Sequence, residues 1–555
     1  MKKRRVLIYL LLTFGIIFLI SIIGFVSAVD GDVLWAKAFV RIGTGSNYAS
    51  GQSSSMDSNN NIFVTGYFTG TFDFGGISLT SAGNEDIFVA KYNSSGGILW
   101  AQRFGGIDKD EGLSIAVDKN TGDVVVSGYF SGNITVGSDS YLSFGGKDII
   151  VMKFSGMNGD VQWNKRIGGE YWSGSSDDIG YGVAIDQSSG NVVVAGQAAG
   201  WVNFGGGAVF TKASSLDSVL IKYSSSGQYL WAKNGDNWGS LSVDSGRAVA
   251  VNNNGDIILA GVTQGPIILE GSTLSTSGPY TDIYVAKFNS TGGHIWSEGF
   301  GNDWATGVGG AATDIDGNIL LTGSFSQTLN FGTEVITATA SSGYLVKFRG
   351  DNGLAIWSKV FVASAGSAGL GIVADSSKSV IVTGFFYTNG DFGGGNLISV
   401  GLLDGFVAKY NSSGGYVWAK RFGGAVSDFG NGVAVNNNGD AIVTGYINNG
   451  DFLGINLNTN GATAGFLAKI QGNQTIVQNN YHPADSNKNW GINNIESLNY
   501  TAYYKSQNPW PIAPSQITND FQVLQRFLYK SGEVYHYLSG TCPPSLANVC
   551  WAAGI

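Results

Sequence analysis

The residues of this chain with the clearest spacing for chemistry lie near its C-terminal end. In one twelve-residue stretch, oxygen-bearing groups fall at positions one, three, five, seven, nine and twelve: Asp485, Asn487, Asn489, Gly491, Asn493 and Glu496. Hard oxygen ligands at this spacing wrap one Ca²⁺, with a bidentate carboxylate at the last position. The sequence therefore predicts a calcium site here, the alternative being a polar turn before a helix.

A second set of candidates consists of tryptophans in polar segments of the central part of the chain. These residues, together with a neighbouring carboxylate, are Trp172, Asp177, Trp201, Trp238 and Trp304. Flat aromatic rings beside carboxylates suit stacking on sugar rings, and they equally suit a hot spot in a protein interface. The alternative is that these rings fold back and fill gaps between structural units.

The chain offers few residues for acid–base or nucleophilic catalysis. Of its three histidines only His294 lies in the central part, while His482 and His536 lie near the C-terminal end. A Ser-His-Asp triad or a histidine-based metal site is therefore not expected in the central part. Paired carboxylates could serve a glycoside hydrolase or a lyase. Such a carbohydrate-active enzyme is the alternative to the non-enzymatic binding that we expect.

Composition and charge indicate a strand-rich chain that does not bind nucleic acid. The 555 residues carry a formal net charge of −9, and Lys and Arg are spread along the sequence rather than gathered in a basic stripe. The chain contains 84 Gly but only 8 Pro, with many Val, Ile, Phe and Tyr residues. This composition is typical of short β-strands joined by tight turns.

Three short motifs recur seven times each between Val33 and Ile470. The tryptophan of an LWAK-like motif is found at Trp35, Trp100, Trp163, Trp231, Trp296, Trp357 and Trp418. The glycine of a VTG-like motif is found at Gly66, Gly128, Gly196, Gly261, Gly323, Gly384 and Gly445. The lysine of an FVAKY-like motif is found at Lys91, Lys153, Lys222, Lys287, Lys347, Lys409 and Lys469. Seven copies over this span give a period of about 63 residues, which is typical of a propeller, a solenoid or an array.

Each repeat is predicted to hold four short antiparallel strands, like one blade of a β-propeller. In the second repeat, GLSIAVD, VVVSGYF, DIIVMKF and VQWNKRI have the alternation and β-branched content of strands. The chain begins with a fourth strand, VLWAKAF, and its last repeat ends with a third strand, GFLAKI. The two ends are therefore predicted to complete one blade between them and to close the ring. The fold expected for residues 33–472 is an all-β, seven-bladed β-propeller.

The long connections of each predicted blade should share one face of the propeller. They join the second strand to the third and the fourth strand to the next first strand. We expect ligand binding on this long-loop face, because loops held by a rigid scaffold often carry function. An Asp opens the third strand in most repeats, as at Asp86 and Asp148. It is expected to hydrogen-bond backbone groups between blades.

The motifs resemble two known families. Over about residues 33–470 the pattern D-x-x-G-N-x-x-V-T-G, followed by D-x-F-V-A-K-Y-N-x-x-G-x-x-x-W, resembles the SBBP (seven-bladed β-propeller) repeat family, which implies an extracellular prokaryotic protein. Residues 481–555 resemble a dockerin-like module with an EF-hand loop, which implies a small α-helical, calcium-binding domain. Trp490 stands where that loop usually has Gly, and dockerins usually carry two loops. We therefore expect calcium-assisted folding rather than cohesin binding.

The two ends of the chain complete the predicted organisation. Residues 1–28, a basic start followed by an apolar run, are predicted to be a signal peptide cleaved after Ala28, the alternative being an uncleaved membrane anchor. Residues 473–480 are interpreted as a linker. In the C-terminal module, residues 519–532 are predicted to form a helix. Cys542 and Cys550 are predicted to form a disulfide.

The function expected from these observations is recognition or adhesion by a secreted or cell-surface protein. Its partner would be an extracellular polysaccharide or a surface protein bound on the long-loop face. Membrane contact is expected only through an uncleaved N-terminal segment, and Ca²⁺ is the expected cofactor. A structural surface-layer component is the remaining alternative.

Overall fold

The computed structural model describes residues 30–170, 177–210, 216–237, 244–270, 272–274, 280–301 and 306–472, and three strands near the C-terminal end. The chain divides into two compact parts, Met1–Asn473 and Gln474–Ile555. Within the described residues every regular element is a β-strand. The same residues contain no helix with the length and apolar character needed to cross a membrane.

Seven four-stranded antiparallel units follow one another along the chain. The first strands of units one to seven are Ala49–Met56, Glu111–Val117, Ile179–Asp186, Ser245–Val251, Gly307–Thr313, Ser367–Ala374 and Phe429–Val435. The second strands are Ile62–Phe68, Val124–Val136, Asn191–Ala198, Ile257–Thr263, Ile319–Phe325, Val380–Asp391 and Ala441–Ile447. The third strands are Asp86–Tyr92, Asp139–Phe154, Asp217–Tyr223, Asp282–Phe288, Ser342–Phe348, Asn396–Tyr410 and Ala464–Ile470. The fourth strands are Ile98–Phe104, Val161–Ile167, Tyr229–Asn234, His294–Phe300, Ala355–Ala363, Tyr416–Gly423 and Val33–Ala38.

The seventh unit is assembled from both ends of this part of the chain. Its fourth strand, Val33–Ala38, pairs antiparallel with its third strand, Ala464–Ile470, in a register that matches Val33 with Ile470 and Ala38 with Phe466. The predicted pairing of the first and last repeat strands is therefore confirmed. With this pairing the third strand of every unit has a fourth strand beside it. A ring of complete sheets of this kind avoids a long exposed strand edge.

One backbone hydrogen bond recurs at every junction between consecutive units. An N–H at or just before a first strand donates to a carbonyl of the unit before it. The acceptor residue directly precedes the third strand in five units, and it lies at the equivalent point inside the longer third strands of the second and sixth units. The donor and acceptor pairs are Asp110–Glu85 (2.7 Å), Asp178–Lys147 (2.8 Å), Asp244–Leu216 (2.8 Å), Thr306–Thr281 (3.1 Å), Ser367–Ser341 (3.1 Å), Asp428–Leu403 (2.9 Å) and Ala49–Thr463 (3.0 Å). Since the last pair joins the seventh unit to the first, the units close a cycle, with their first strands innermost.

The hydrophobic core lies at the same junctions. Among the described residues there are seven apolar clusters, each formed by two consecutive units, including the seventh with the first. At the junction of the first two units, for example, Phe63 and Val89 pack with Ile115 and Val124, and Phe63 and Val124 are fully buried. Each sheet therefore buries both faces against its neighbours, which explains why the second and third strands are almost continuously apolar.

The motif lysine and the motif tryptophan hydrogen-bond to a carbonyl in the short turn between the third and fourth strands of the next unit. We call this pair of contacts the latch. In the fifth unit the Lys347 ammonium lies 2.8 Å from the Asp314 carboxylate of its own unit and 3.4 Å from the Ser412 carbonyl of the next unit. The Trp357 indole donates to the same carbonyl over 3.2 Å. Equivalent lysine contacts recur in the first four units. The lysine of the FVAKY-like motif and the tryptophan of the LWAK-like motif therefore recur because they hold neighbouring units together.

The motif glycine of the second strand allows close approach of the first strand. A methyl group at Gly323 would lie 1.9 Å from the Gly307 carbonyl oxygen, and one at Gly128 would lie 1.9 Å from the Glu111 carbonyl oxygen. A side chain at this position is therefore excluded by the neighbouring backbone. This explains why glycine stands in all seven copies of the VTG-like motif.

The long segment between the second and third strands is not the open loop that we predicted, because it forms an extra hairpin in every unit. Its tip folds back along the unit, and the Tyr92 hydroxyl at the far end of the third strand donates to the Phe74 carbonyl over 2.9 Å. Phe72 and Phe74 in this hairpin are buried, so apolar burial orders a segment whose glycines suggested a loop. The hairpin strands are Thr71–Asp73 with Ser78–Thr80, Trp201–Asn203 with Ala208–Phe210, Ile267–Leu269 with Ser272–Leu274, Thr328–Asn330 with Val335–Thr337, and Gly450–Phe452 with Ile455–Leu457.

In the second and sixth units this hairpin continues the second and third strands without a break. In several units it also pairs with the chain just after the fourth strand of the preceding unit, through Val40–Ile42, Gly169–Glu170 and Asp236–Asn237 and through the ends of the fourth strands of units five and six. The hairpins therefore tie neighbouring units together around the outer wall of the ring.

In the C-terminal part, the described residues form a three-stranded antiparallel sheet of Leu528–Lys530, Glu533–Tyr537 and Trp551–Gly554. The helix predicted over 519–532 is wrong at Leu528–Lys530, which is a strand with Lys530 paired to Glu533. The remainder of that prediction lies outside the described residues.

Candidate ligand-binding site

Each first strand contains a one-residue bulge at the same place, near its N-terminal end. Because the first strands are innermost, the bulged residues lie on the inner wall of the ring, at the end that bears the connections from fourth strands. All seven are partly buried. They differ in chemical type although the residues around them repeat: Gln52, Leu113, Tyr181, Arg247, Gly309, Leu370 and Asn431. Bulges re-aim side chains, and they are over-represented next to functional sites.

Two consecutive bulged residues contact each other. The Arg247 guanidinium lies over the ring of Tyr181, 4.1 Å from the ring centre. The Tyr181 hydroxyl donates to the Gln197 side-chain oxygen at 3.4 Å. Burial raises the pKa of Tyr181, and the Arg247 charge opposes that rise in part. A cation on an aromatic face is a stabilised arrangement, so this pair has a defined geometry without a ligand.

Lys147 and Asp177 extend this group towards the second unit. The Lys147 ammonium lies 4.5 Å from the centre of the Tyr129 ring and 3.1 Å from an Asp177 carboxylate oxygen. The Lys147 backbone N–H donates to the other Asp177 oxygen over 3.3 Å. Tyr129 is only 4% exposed, whereas the Asp177 side chain is 42% exposed. Asp177 therefore offers an accessible carboxylate beside a cation and a buried ring.

Lys109 joins two carboxylates between the first and second units. Its ammonium lies 2.9 Å from Glu111 and 3.3 Å from Glu85, and the Tyr48 hydroxyl donates to Glu85 as well. Burial opposes ionisation of Glu85, but the Tyr48 hydroxyl and the Lys109 charge outweigh it and hold the Glu85 pKa below its usual value. Burial likewise opposes the charge on Lys109, but both carboxylates raise its pKa. Glu85 and Lys109 are therefore charged at neutral pH.

Aromatic rings continue the arrangement around the ring towards the sixth and seventh units. The Tyr48 and Tyr67 rings meet edge to face with their centres 6.2 Å apart. The Phe429 ring lies 4.5 Å from Phe385 and is stacked at 4.7 Å on Tyr446. Four of these aromatic residues occupy the position after the motif glycine: Tyr67, Tyr129, Phe385 and Tyr446. We name the charged and aromatic group of the first four units the axial cluster, which comprises Tyr48, Tyr67, Glu85, Lys109, Glu111, Tyr129, Lys147, Asp177, Tyr181 and Arg247.

An open cleft of about 500 Å³ adjoins the axial cluster in the first unit. Tyr48 and Glu85 form one side of it, and polar loop residues form the rest: Ser46, Asn47, Thr69, Gly70, Ser81, Ala82, Gly83 and Asn84. This volume is within the range of small-molecule sites. The lining offers hydroxyl, amide and carboxylate groups that suit a ligand with many hydroxyls.

The buried aspartates next to the cluster hold the scaffold rather than a ligand. Asp178 is fully buried and accepts backbone N–H groups from Ala199 at 2.9 Å and Gly169 at 3.2 Å. Burial raises its pKa to about 8, and burial raises that of the equivalent Asp110 to about 7. Both carboxylates are enclosed between two units, so a ligand on the face cannot reach them.

The Asp that opens the third strand has a further partner that we did not predict. Asp86 forms an ion pair with Arg103, and Asp148 forms one with Arg166 over 2.5 Å, each within its own unit. A buried carboxylate needs a partner, and the arginine is near because the fourth strand lies beside the third. Each carboxylate also accepts a backbone N–H, from Ala82 at 2.9 Å and from Phe144 at 3.1 Å, so the predicted backbone hydrogen bond is present, but it lies within one unit and not between blades.

The structure places two of the five predicted ligand-binding residues. Asp177 belongs to the axial cluster. Trp201 is 59% exposed, but it lies in the first strand of an outer hairpin and not in an open loop on the face. The other three, Trp172, Trp238 and Trp304, lie outside the described residues, as do the predicted calcium ligands and both cysteines. Within the part of the chain that the structure describes, no group of three or more His, Cys, Asp or Glu residues is placed to hold a metal ion.

Sequence analysis missed the other members of the axial cluster. For Tyr181 and Arg247 the signal is the bulged position of the first strand, which is Gln, Leu, Tyr, Arg, Gly, Leu and Asn in successive units and follows a glycine in all units except the fifth. Where the residue type varies from unit to unit while the neighbouring residues repeat, the scaffold does not require a particular side chain at that position. Aligning the repeats by their first strands would have found Tyr181 and Arg247.

No family model matches the chain. An uncharacterized WD repeat-containing protein of Acanthamoeba polyphaga mimivirus is 25% identical over 529 residues, covering 76% of this chain and 36% of that protein. The chain therefore spans about a third of the length of this curated relative. The chain is a repeat β-propeller.

Among solved structures, this propeller is similar to a quinohemoprotein alcohol dehydrogenase from Comamonas testosteroni, with a TM-score of 0.35 and 10% identity over 79% of this chain and 76% of that one. A europium-containing methanol dehydrogenase has a TM-score of 0.33 and 10% identity over 79% of this chain and 93% of that one. A protein of unknown function from Bacteroides caccae has a TM-score of 0.30 and 12% identity over 60% of this chain and 89% of that one.

Proposed function

We propose that this chain is an exported, seven-bladed propeller of the SBBP type that recognises a carbohydrate on its long-loop face. The seven junction hydrogen bonds and the pairing of Val33–Ala38 with Ala464–Ile470 support a ring of seven blades. Such a ring is a rigid support for side chains at its centre. Residues 1–28 would direct export, and residues 481–555 would form a dockerin-like module stabilised by Ca²⁺.

The observation that supports this proposal best is the continuity of the axial cluster with the cleft at Tyr48 and Glu85. Charged groups, exposed carboxylate oxygen and aromatic rings are concentrated in four neighbouring units. On the fourth strands one comparable group occurs among the described residues, Arg166 stacked over Phe144 and paired with Asp148, but it is confined to one unit. A row of polar and aromatic groups along four neighbouring units suits an extended polar ligand that lies across the long-loop face.

Recognition rather than catalysis is favoured by the state of the carboxylates in this sector. Glu85 and Glu111 share Lys109, and Asp177 is paired with Lys147, so each carboxylate is oriented by a cation, and the pKa of Glu85 is held below its usual value. A glycoside hydrolase needs one carboxyl group that stays protonated and reaches the substrate. The carboxyl groups of these units with raised pKa values are all fully buried: Asp86, Asp110, Asp148 and Asp178.

The test is binding of the full chain, with Ca²⁺, to an array of neutral and acidic polysaccharides. The variants are Tyr48→Ala and Glu85→Gln, which change the cleft lining. The matched control is Glu298→Gln, an exposed glutamate on the fourth strand of the fourth unit. We expect at least one polysaccharide to bind to the wild type and the control but at least tenfold more weakly to both cleft variants. Equal binding by all four proteins would refute the site, and no binding to any array member would refute carbohydrate recognition.

A further inference from the structure

We propose that Arg247, held on the Tyr181 ring, binds the acidic group of a sugar, so that the ligand of the long-loop face is an acidic saccharide. This inference rests on the proposed function and adds the charge of the ligand to it. It depends on the position, stacking and ion-pair partners of Arg247.

The position of Arg247 is set by the bulge in the first strand of the fourth unit. Gly246 pairs with Gly261 and Ala248 with Ala260, so Arg247 is the extra residue between two paired positions. The scaffold therefore does not use its side chain for strand pairing. In the other units the same position holds residues without a positive charge, so the charge is specific to this sector of the inner wall.

Stacking on Tyr181 occupies the flat face of the Arg247 guanidinium, and a side-chain hydrogen bond to the Tyr181 hydroxyl uses part of its donor edge. A guanidinium lying over a ring uses its flat face for the contact, while its five N–H donors point outward in the plane. That plane suits two parallel hydrogen bonds to the oxygens of a carboxylate or a sulfate. Because Tyr181 fixes the group beforehand, little side-chain freedom is lost when the anion binds.

The ion pairs of the other cluster cations contrast with the environment of Arg247. Lys109 has Glu85 and Glu111, and Lys147 has Asp177. For Arg247 no carboxylate lies within ion-pair distance among the residues that the structure describes. A partly buried cation without a carboxylate retains its attraction for an anion, and the attraction is stronger than it would be in bulk water.

The surroundings of Arg247 favour a saccharide rather than a simple ion. Gln197 lies 3.4 Å from the Tyr181 hydroxyl, and Asp177 and Lys147 continue the polar row towards the cleft in the first unit. A ligand anchored by its acidic group at Arg247 would find hydroxyl-binding groups along this row. An isolated anion would use only the first of them.

The experiment is calorimetric titration of the full chain with polygalacturonate and with its methyl ester, which has the same backbone without the charge. A sulfated galactan distinguishes a carboxylate from a sulfate group. The variants are Arg247→Met, which removes the charge, and Arg247→Lys, which keeps the charge but loses the planar fork. The matched control is Arg349→Met, because Arg349 is exposed on a turn between third and fourth strands.

We expect the wild type and Arg349→Met to bind one of the two acidic polymers at least tenfold more tightly than the neutral ester. That preference should be lost in Arg247→Met and reduced in Arg247→Lys, and it should weaken as salt is added. Equal binding of acid and ester by the wild type would overturn the inference while leaving carbohydrate recognition in place. Binding of neither would also overturn it, and the array of neutral polysaccharides would then decide the proposed function separately.

Discussion

Replacement of Lys347 by methionine should destabilise the propeller by leaving a buried carboxylate without its cation. The Lys347 and Asp314 side chains are 5% and 0% exposed, and their charged atoms lie 2.8 Å apart. Removing one partner of a buried pair typically costs 3–5 kcal/mol. Asp314 keeps its hydrogen bonds from the Asp316 and Asn318 backbone N–H groups, so we expect the lower end, about 3 kcal/mol. The loss at the Ser412 carbonyl adds little, since Trp357 still donates to it.

The pH dependence of this cost has a defined sign. In the wild type, burial opposes ionisation of Asp314, but Lys347 and neighbouring hydrogen bonds outweigh it and hold its pKa below the usual value. Without the lysine, burial should raise that pKa above its unfolded value. The variant should then bind a proton on folding at acidic pH. The difference in stability between wild type and variant should therefore be smaller at pH 4 than at pH 7.

The assay is thermal unfolding of the full chain followed by calorimetry, with attention to the transition of the propeller. For a cooperative unit of about 440 residues, an unfolding entropy near 2.1 cal/mol/K per residue converts 3 kcal/mol into a Tm decrease of about 3 °C. The matched control is Lys378→Met. Lys378 lies only 2.6 Å from Asp316, but the two side chains are 38% and 52% exposed, so no measurable change in Tm is expected.

A double variant tests the reason for the loss. Lys347→Met combined with Asp314→Asn removes the charge that burial makes costly, and it should recover most of the lost Tm. Equal effects of Lys347→Met and Lys378→Met would refute the argument that burial decides the strength of these ion pairs. Failure of Asp314→Asn to restore stability would show that the lysine acts through packing instead.

Two further predictions concern the junctions and the strand pairs. Burial raises the folded pKa of Asp178 to about 8, so its contribution to stability is present at low pH and is lost as the pH rises from about 4 to 8. Between pH 5 and pH 8 the stability of the wild type should therefore fall relative to that of Asp178→Asn by at most about 4 kcal/mol. Calorimetry at both pH values measures this difference, and parallel pH profiles for the two proteins would contradict the prediction. Gly323→Ala should cost about 3 kcal/mol or more, because the new methyl group would meet the Gly307 carbonyl, whereas Gly307→Ala meets only the Ser324 hydroxyl at 3.4 Å and should cost much less; similar Tm decreases for both would rule out a steric role for the motif glycine.

The parts of the fold that repeat were predictable from the sequence. The tryptophan, glycine and lysine motifs give the period, and the incomplete repeats at the two ends predict the pairing of Val33–Ala38 with Ala464–Ile470. The outer hairpins were missed because their glycines and polar residues are typical of loops. Phe72 and Phe74 are ordered by burial against another strand, which is a tertiary effect that local pattern does not report.

Of the residues in the axial cluster, the sequence predicted only Asp177. The predicted tryptophans stand out because they lie in polar segments outside the repeat motifs. Tyr181 and Arg247 instead lie within a first strand, where the sequence gives no local sign of a binding role. Their importance comes from a bulge and from contact across a junction between units. Neither feature has a local sequence signature, because a bulge is defined only by the register of two strands.

The closure within the seventh unit determines how the propeller would respond to tension between its two ends. The Gly31 N–H donates to the Gln471 carbonyl and the Gln471 N–H donates to the Asp32 carbonyl, so the two ends leave the ring side by side. A pulling force on them would load Val33 and Ile470 first and would open the strand pair one hydrogen bond after another, as in unzipping. Of the other units, the sixth would share that load through the ion pair of Lys409 with Asp30 at 3.2 Å. The propeller would therefore fail mechanically at a single strand, which could pair again once the force is released.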